Sequence, residues 1–245
     1  MASARVRLDR RVVELGLETT RARAQARIWA GDVRLADRVM DKPGTQIPAD
    51  AVLTLAKRSP YVSRGGEKLA GALDAFGLDP AHMRCADIGA STGGFSDCLL
   101  QRGAASVFAL DVGYGQLAAR LREDPRVRVC ERTNIRHFDL DADQESFDLV
   151  TADLSFISLR TVLPCLVALT RPGGHLLLLV KPQFELERSE VGKGGVVRDP
   201  ELRVEASCRV RVAAEALGLA FVDEAESVLA GPKGNRERFL LLRHP

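Results

Sequence analysis

The chain is 245 residues long, 46% hydrophobic and 28% charged, with a net charge of +2. That composition is globular and excludes a disordered polypeptide. In the C-terminal half the uncharged apolar runs, Leu176 to Val180 among them, are far short of the ~20 residues of a membrane span. No apolar stretch near the start reads as a secretory signal. The five cysteines (Cys85, Cys98, Cys130, Cys165 and Cys208) are odd in number and widely spaced, which argues against a disulfide framework and a CxxC zinc site. The expectation is a cytoplasmic protein with no metal and no membrane partner.

Charge is unevenly spread. Residues 1–60 carry a balance of +5 and the remainder −3. A basic head on a mildly acidic body points to a polyanionic partner, or to a merely solvated basic surface. Only six of the 35 basic residues are lysines: Lys42, Lys57, Lys68, Lys181, Lys193 and Lys233. Lysine can give up its proton in a suitable environment and arginine cannot, so these few positions draw attention.

Residues 5–56 read as one small α+β unit. Val6, Leu8, Val12, Val13, Leu15 and Leu17 predict a short helix ending near Gly16. Thr19 or Thr20 caps a second helix running through Ala30 and stopped by Gly31. Short strands follow around Val33–Leu35, Val39, Ile47 and Val52–Leu55, with a turn at Lys42-Pro43-Gly44-Thr45. A linker covers 58–62, where Pro60 disfavours helix. From Tyr61 onward helices alternate with buried strands. Helices are expected at Gly66–Phe76, Phe95–Arg102, Leu117–Arg122, Leu159–Leu169 and Pro200–Leu217. Strands are expected at Arg84–Ile88, Ser106–Leu110, Val127–Cys130, Phe147–Ala152 and His175–Val180, with two closing strands near Ala220–Val228 and Arg236–Leu242. This pattern predicts an α/β fold: a Rossmann-like, mostly parallel sheet covered on both faces, with an antiparallel edge.

The segment Asp87-Ile88-Gly89-Ala90-Ser91-Thr92-Gly93-Gly94-Phe95 follows the first buried strand and opens a helix. Glycines there allow a tight turn and close ligand approach, and the helix start offers free N–H donors. The next strand ends at Asp111, 24 residues after Asp87, where a carboxylate can accept from a ribose diol. The spacing D-x-G-x-x-x-G-G departs from the dinucleotide pattern G-x-G-x-x-G and matches S-adenosylmethionine (SAM) sites, whose cationic amino acid moiety suits Asp87. A glycine turn with no ligand is the plainer alternative.

Polar residues interrupt the apolar pattern at three strand ends, where open α/β sheets bind ligands. They are Asp153-Leu154-Ser155-Phe156, Lys181-Pro182-Gln183-Phe184-Glu185 and Asn235-Arg236-Glu237. With Lys68 on the preceding helix, two lysines and two carboxylates can converge. Such a set suits methyl transfer to a sugar hydroxyl. Lys181, partly desolvated, would act as general base; Lys68 would hold the oxygen; Asp153 and Glu237 would orient the lysines. Ordinary surface ion pairs are the competing reading. The scattered histidines show no ligand spacing. The Pro182-Gln183-Phe184-Glu185 segment differs from the N/D-P-P-Y/F loop of amino-group methyltransferases. Gly192–Gly195 reads as a mobile loop able to close over RNA, or as an ordinary connection.

At these residues the sequence resembles the TlyA family of bacterial rRNA methyltransferases, which join an S4-type RNA-binding domain to an FtsJ-like methyltransferase domain. The stretches carrying the resemblance are Val62-Ser63-Arg64-Gly65-Gly66-Glu67-Lys68-Leu69, Gly89–Phe95, Asp111–Leu117, Asp153–Ser158, Val180–Glu185 and Gly231-Pro232-Lys233-Gly234-Asn235. The resemblance implies an S4-type domain over 1–57, a linker over 58–62 and a methyltransferase domain over 63–245. It implies a catalytic tetrad on Lys68, Asp153, Lys181 and Glu237, and SAM-dependent 2′-O-methylation of cytidine in ribosomal RNA within a ribosomal subunit. The end at Pro245, soon after the last strand, looks more like the subtype that modifies 23S rRNA only than the one that also modifies 16S rRNA. SAM contacts are expected from Asp87, Gly89, Ala90, Ser91, Thr92, Gly93, Gly94, Phe95, Asp111, Asn134 and Asp153. RNA contacts are expected from Arg5, Arg7, Arg21, Arg23 and Lys42 in the head and from Arg64, Arg136, Arg188 and Lys193 around the crevice. Phe156 would stack on the target base or pack in the core. Members of the family also carry the name hemolysin, which no membrane-inserting segment here supports. A non-catalytic rRNA-binding assembly factor is the alternative in another class.

Overall fold

The computed structural model describes residues 4–29, 31–36, 38–55, 59–138 and 146–245. The chain divides into two compact units, Met1–Arg58 and Ser59–Pro245.

In the first unit, strand β1 (Arg5–Arg7) leads directly into helix α1 (Leu8–Glu14), and α2 (Arg21–Trp29) follows. Four short strands complete it: β2 (Val33–Leu35), β3 (Arg38–Met40), β4 (Gln46–Pro48) and β5 (Leu53–Leu55). β1 pairs antiparallel with β4, and β2 lies between β3 and β5. Leu8, Val12, Ala24 and Ile28 from the helices bury against Val33, Met40, Ile47 and Leu53. The apolar pattern predicts a helix that includes Val6. The structure instead pairs Val6 with Ile47, and α1 begins at Leu8. Apolar residues at 6 and 8 satisfy a two-residue period as well as a helical one, and the pairing with β4 decides between them. Thr20 Oγ1 accepts from the Arg23 N–H at 3.2 Å, a side-chain cap at the start of α2. The expected end of that helix at Ala30, and Lys57 with Arg58, where the expected linker begins, lie outside the described residues.

Beneath these elements Asp9 is wholly buried at the start of α1. Its carboxylate accepts hydrogen bonds from Arg7, Arg21, Gln25 and the Arg10 N–H. A buried charge needs such partners, and the Arg7 guanidinium foremost holds this carboxyl well below the usual carboxylate range.

The second unit runs α3 (Arg64–Phe76), β6 (Arg84–Ile88), α4 (Gly94–Gln101), β7 (Ser106–Leu110), α5 (Ala119–Arg122) and β8 (Val127–Cys130). Then come β9 (Phe147–Ala152), α6 (Leu159–Leu169), β10 (Thr170–Val180), α7 (Pro182–Glu185), α8 (Pro200–Ala216), β11 (Ala220–Glu226) and β12 (Arg238–Arg243). The seven strands order as β11-β12-β10-β9-β6-β7-β8. β10, β9, β6, β7 and β8 are mutually parallel, while β12 and β11 form the antiparallel edge. The expected Rossmann-like class is therefore the observed one.

Strand alternation builds both cores. Ala86, Ile88, Val150, Leu176, Leu178 and Leu240 face one cluster with Val162 and Leu166 of α6. Cys85, Leu149, Leu177, Leu179, Phe239 and Leu241 face the other with Leu69, Leu73 and Leu99 of α3 and α4. β10 starts at Thr170 rather than His175, with a register irregularity between them. The four-residue α7 and the 3-10 turns at Ile135–His137 and Lys193–Gly195 are too short to show a period in the sequence. No described helix is long and apolar enough to cross a membrane.

The strand order fixes where ligands bind. The chain moves outward from β6 through β7 to β8, then returns to place β9 on the other side of β6. This reversal opens a crevice beyond the carboxyl ends of β6 and β9.

Candidate active site

A cavity of about 750 Å³ occupies that crevice. Its floor is the glycine loop after β6. Gly89 has φ +87°, and a Cβ there would sit 2.7 Å from the Asp153 carbonyl oxygen, so only glycine lets the two strand ends approach. The Asp153 N–H donates to the Ile88 carbonyl at 3.1 Å, locking the loops after β6 and β9 together.

A second close approach brings α3 to the loop. At Gly94 a Cβ would lie 2.9 Å from the Gly66 nitrogen and 3.1 Å from the Gly65 Cα. The glycines of Arg64-Gly65-Gly66-Glu67-Lys68 and of the loop thus let the first turns of α3 and α4 touch. That contact delivers Lys68 to the cavity wall.

Four charged residues, Lys68 of α3 and three from the ends of β9, β10 and β12, gather there. Lys68 Nζ donates to Glu237 Oε2 at 2.5 Å, and both side chains are buried. Lys181 Nζ lies 2.5 Å from Asp153 Oδ1, and donates a hydrogen bond to Ser155 Oγ at 2.9 Å. All four line the one cavity. Burial pushes the Glu237 carboxyl upward in pKa, opposed by Lys68 and Lys181 and reinforced by Asp153. Glu237 Oε1 is buried without a hydrogen-bond partner.

Asp87 sits at the cavity floor, fully buried. Oδ2 accepts from the Ser96 N–H at 2.8 Å and the Ser96 hydroxyl at 2.6 Å, while Oδ1 has no hydrogen-bond partner. Burial raises its pKa to about 7, against the Ser96 bonds and with help from the charges of Asp153 and Asp111. An unpaired buried carboxylate oxygen beside a glycine loop suits a cationic ligand group, so the residues present fit the amino acid end of SAM.

Gly89, Ala90, Ser91, Thr92, Gly94 and Phe95 also line the cavity. Gly93, Asp111 and Asn134 are not among the lining residues. Asp111 spends its oxygens on the N–H groups of Ser91 and Gly113, which shapes the loop. Asn134 Oδ1 accepts from the Arg136 N–H and caps the 3-10 turn.

Of the expected RNA contacts, Arg64 lines the cavity and donates to the Ala230 carbonyl at 2.7 Å. Phe156 also lines it, 92% exposed, at φ +66° and 5.5 Å from the Phe184 ring. Arg136, Arg188 and Lys193 are exposed away from the lining. In the first unit Arg7 and Arg21 are bound to Asp9, Arg5 donates to the Gln46 carbonyl and Arg23 to the Thr19 hydroxyl, and Lys42 is exposed. Sequence reasoning missed Ser155, Gln183 and Asn235, which line the cavity too. Each stood inside a motif already singled out, but nothing in the residue type marked it. Glu185, in the same motif, serves structure: it accepts from the Ser158 hydroxyl and the Leu159 N–H, capping α6.

The family described as FtsJ-like methyltransferase matches residues 61–244. The 16S/23S rRNA (cytidine-2′-O)-methyltransferase TlyA of Mycobacterium tuberculosis is 50% identical over 98% of this chain and 90% of its own. The chain belongs to the TlyA family. The 23S rRNA (cytidine-2′-O)-methyltransferase TlyA of Campylobacter jejuni is 37% identical over 73% of this chain and 69% of its own. A solved Streptococcus thermophilus protein named as a hemolysin matches with a TM-score of 0.77 and 38% identity, covering 99% of this chain and 90% of that one. As a TlyA-family member the chain shares the FtsJ-like methyltransferase architecture, and the lysine–carboxylate cavity lies inside the matched segment.

Proposed function

We propose that the chain transfers a methyl group from SAM to the ribose 2′-hydroxyl of a cytidine in ribosomal RNA. The observation that carries this reading is the meeting of Lys68–Glu237 and Lys181–Asp153 beside the glycine loop. The names of the two TlyA relatives support the substrate, and 23S rRNA is the target common to both. The 23S-only preference remains part of the proposal, as do the cytoplasmic location and the ribosomal subunit as the form of substrate.

Bound SAM would supply an electrophilic methyl carbon. Asp87 and the loop from Gly89 to Phe95 would hold it. Lys181, oriented by Asp153 and Ser155, takes the proton of the 2′-hydroxyl. Lys68, held by Glu237, donates to the same oxygen. Most of the acceleration comes from positioning and from fixed charge. The tetrad on Lys68, Asp153, Lys181 and Glu237 is thus the catalytic set of this proposal. The first unit is assigned as an S4-type RNA-binding domain, with phosphate contacts that position without reading sequence.

The test is incubation of the protein with purified ribosomal subunits and labelled SAM, followed by mass-spectrometric mapping of the product. Label on a cytidine ribose of 23S rRNA is expected. SAM binding without transfer to any RNA would favour the non-catalytic assembly factor.

A further inference from the structure

Two stretches prominent in the sequence, Gly192–Gly195 and Gly231–Asn235, have no part in the mechanism above, and a single side chain joins them. Asn235 is 2% exposed. Its Nδ2 donates to the Gly195 carbonyl at 2.7 Å, and its Oδ1 accepts from the Val197 N–H at 2.9 Å. The amide thus pairs with the backbone as a neighbouring strand would. Its own carbonyl accepts from the Gly231 N–H at 2.8 Å, which closes the 231–235 turn.

The other end of the segment is fixed as well. Glu190 pairs bidentately with Arg209 of α8, at 3.0 and 2.9 Å. Between the anchors lie three glycines, at 192, 194 and 195, and the exposed Lys193. Val191 and Gly195 form part of the cavity wall.

Asn235 and Glu237 are two residues apart and both are buried, while the exposed Arg236 between them pairs with Glu226. One holds the 192–197 segment and the other holds Lys68. We propose that Asn235 is a positioning residue for the methyl transfer, latching the Gly192–Val197 segment as a cavity wall in register with the Lys68–Glu237 pair. The inference rests on the reading of the chain as an RNA methyltransferase. Its consequence is a wall built for the RNA, since the SAM-cradling loop lies on other elements.

Asn235→Ala removes both bonds. Asn235→Asp keeps an acceptor for Val197 but sets a carboxylate against the Gly195 carbonyl. Both variants are compared with the full-length wild type for KM and kcat with ribosomal subunits, SAM affinity, melting temperature and hydrogen exchange at the Val197 amide. The expected result is a KM for RNA raised about tenfold, the scale of one or two lost hydrogen bonds. SAM affinity stays within twofold and melting is preserved. Val197 exchanges faster in Asn235→Ala and remains protected in Asn235→Asp. An unchanged KM, or a loss of SAM affinity as large as the KM effect, overturns the proposal. Should Asn235→Ala fail to fold, Glu190→Gln loosens the opposite anchor and is expected to raise the same KM; no rise overturns the proposal. A wild-type protein that methylates no RNA sinks the functional reading, and the Val197 comparison then judges the latch alone: equal exchange in wild type and Asn235→Ala overturns it.

Discussion

Lys68 and Glu237, 169 positions apart in the chain, meet at 2.5 Å with both side chains out of solvent. Removing one partner of a buried pair strands the other charge, at a cost of about 3–5 kcal/mol. Glu237→Ala is expected to lower the unfolding free energy by that amount, and adding Lys68→Met to recover part of it. Denaturant melts of the single and double variants provide the check. A Glu237→Ala protein that melts like wild type would show that the pair holds nothing together.

Lys181 separates charge from proton transfer. Lys181→Ala is expected to lower RNA methylation by roughly 10²–10⁴-fold, the range of one general base, with SAM affinity unchanged. Lys181→Arg keeps the cation but cannot surrender a proton, so it should be as inactive as alanine. Single-turnover methylation rates read the difference. A working arginine variant would reassign Lys181 to electrostatic support.

The second unit was legible because its inner parallel strands, β6, β7 and β9, are largely buried on both faces. The stretches at Arg84–Ile88, Ser106–Leu110, Val127–Cys130 and Phe147–Ala152 are short and mostly apolar between polar turns, and each is a strand with those bounds. Charged residues standing at strand ends marked Asp153, Lys181 and Glu237, while Lys68 stood on the helix before the first strand. Short elements were harder. β1 spans three residues, too few to reveal a period, and its partner β4 lies some 40 residues on. Side-chain assignments to caps were also hidden: Asn134 reads as a polar residue near a ligand, yet it spends its oxygen on Arg136. Which hydrogen bond a short polar side chain makes depends on neighbours that sequence spacing does not supply.

Asp87 gives the cavity a pH dependence. Its carboxyl is held at about 7, mainly by burial. The folded state therefore binds this proton more tightly than the unfolded chain. By linkage this group's contribution to stability is full below pH 4 and declines as pH rises from about 4 to 7. Binding of a cationic amino acid group works in the opposite sense, since it needs the carboxylate. SAM affinity is expected to strengthen between pH 6 and 8, and Asp87→Asn to bind more weakly and lose that slope. Calorimetric titration across the range tests it; an identical slope in both proteins would assign the titration elsewhere.

Arg7 and Arg21 were expected at RNA phosphates, and both already hold Asp9. Arg21→Ala should therefore loosen the first unit, by about 1–3 kcal/mol for a partly unsatisfied buried carboxylate. Weaker RNA binding by such a variant mixes lost contact with lost order. The Asp9 carboxyl is held below its unfolded value, so its stabilisation is present above about pH 4 and lost as pH falls. Hydrogen exchange over residues 5–55 should accelerate between pH 5 and pH 3.5, after correction for intrinsic rates, and Asp9→Asn should remove most of that change. A pH response unaltered by Asp9→Asn would place the acid sensitivity in other groups.

Phe156 combines three features that structural packing does not explain: 92% exposure, a place on the cavity wall and a left-handed backbone at φ +66°. A bulky residue there costs of order 1–3 kcal/mol in backbone strain. Its ring contact with Phe184 at 5.5 Å recovers a share of this. Phe156→Gly removes both ring and strain, so the melting temperature is expected to stay level or rise. Methylation should fall, through a higher KM for RNA, because the exposed face that would stack on a base is gone. Phe156→Tyr keeps the face and should retain most activity. Steady-state kinetics with subunits, beside melts of all three proteins, decide the matter. A glycine variant that melts early yet methylates normally would return Phe156 to a packing role.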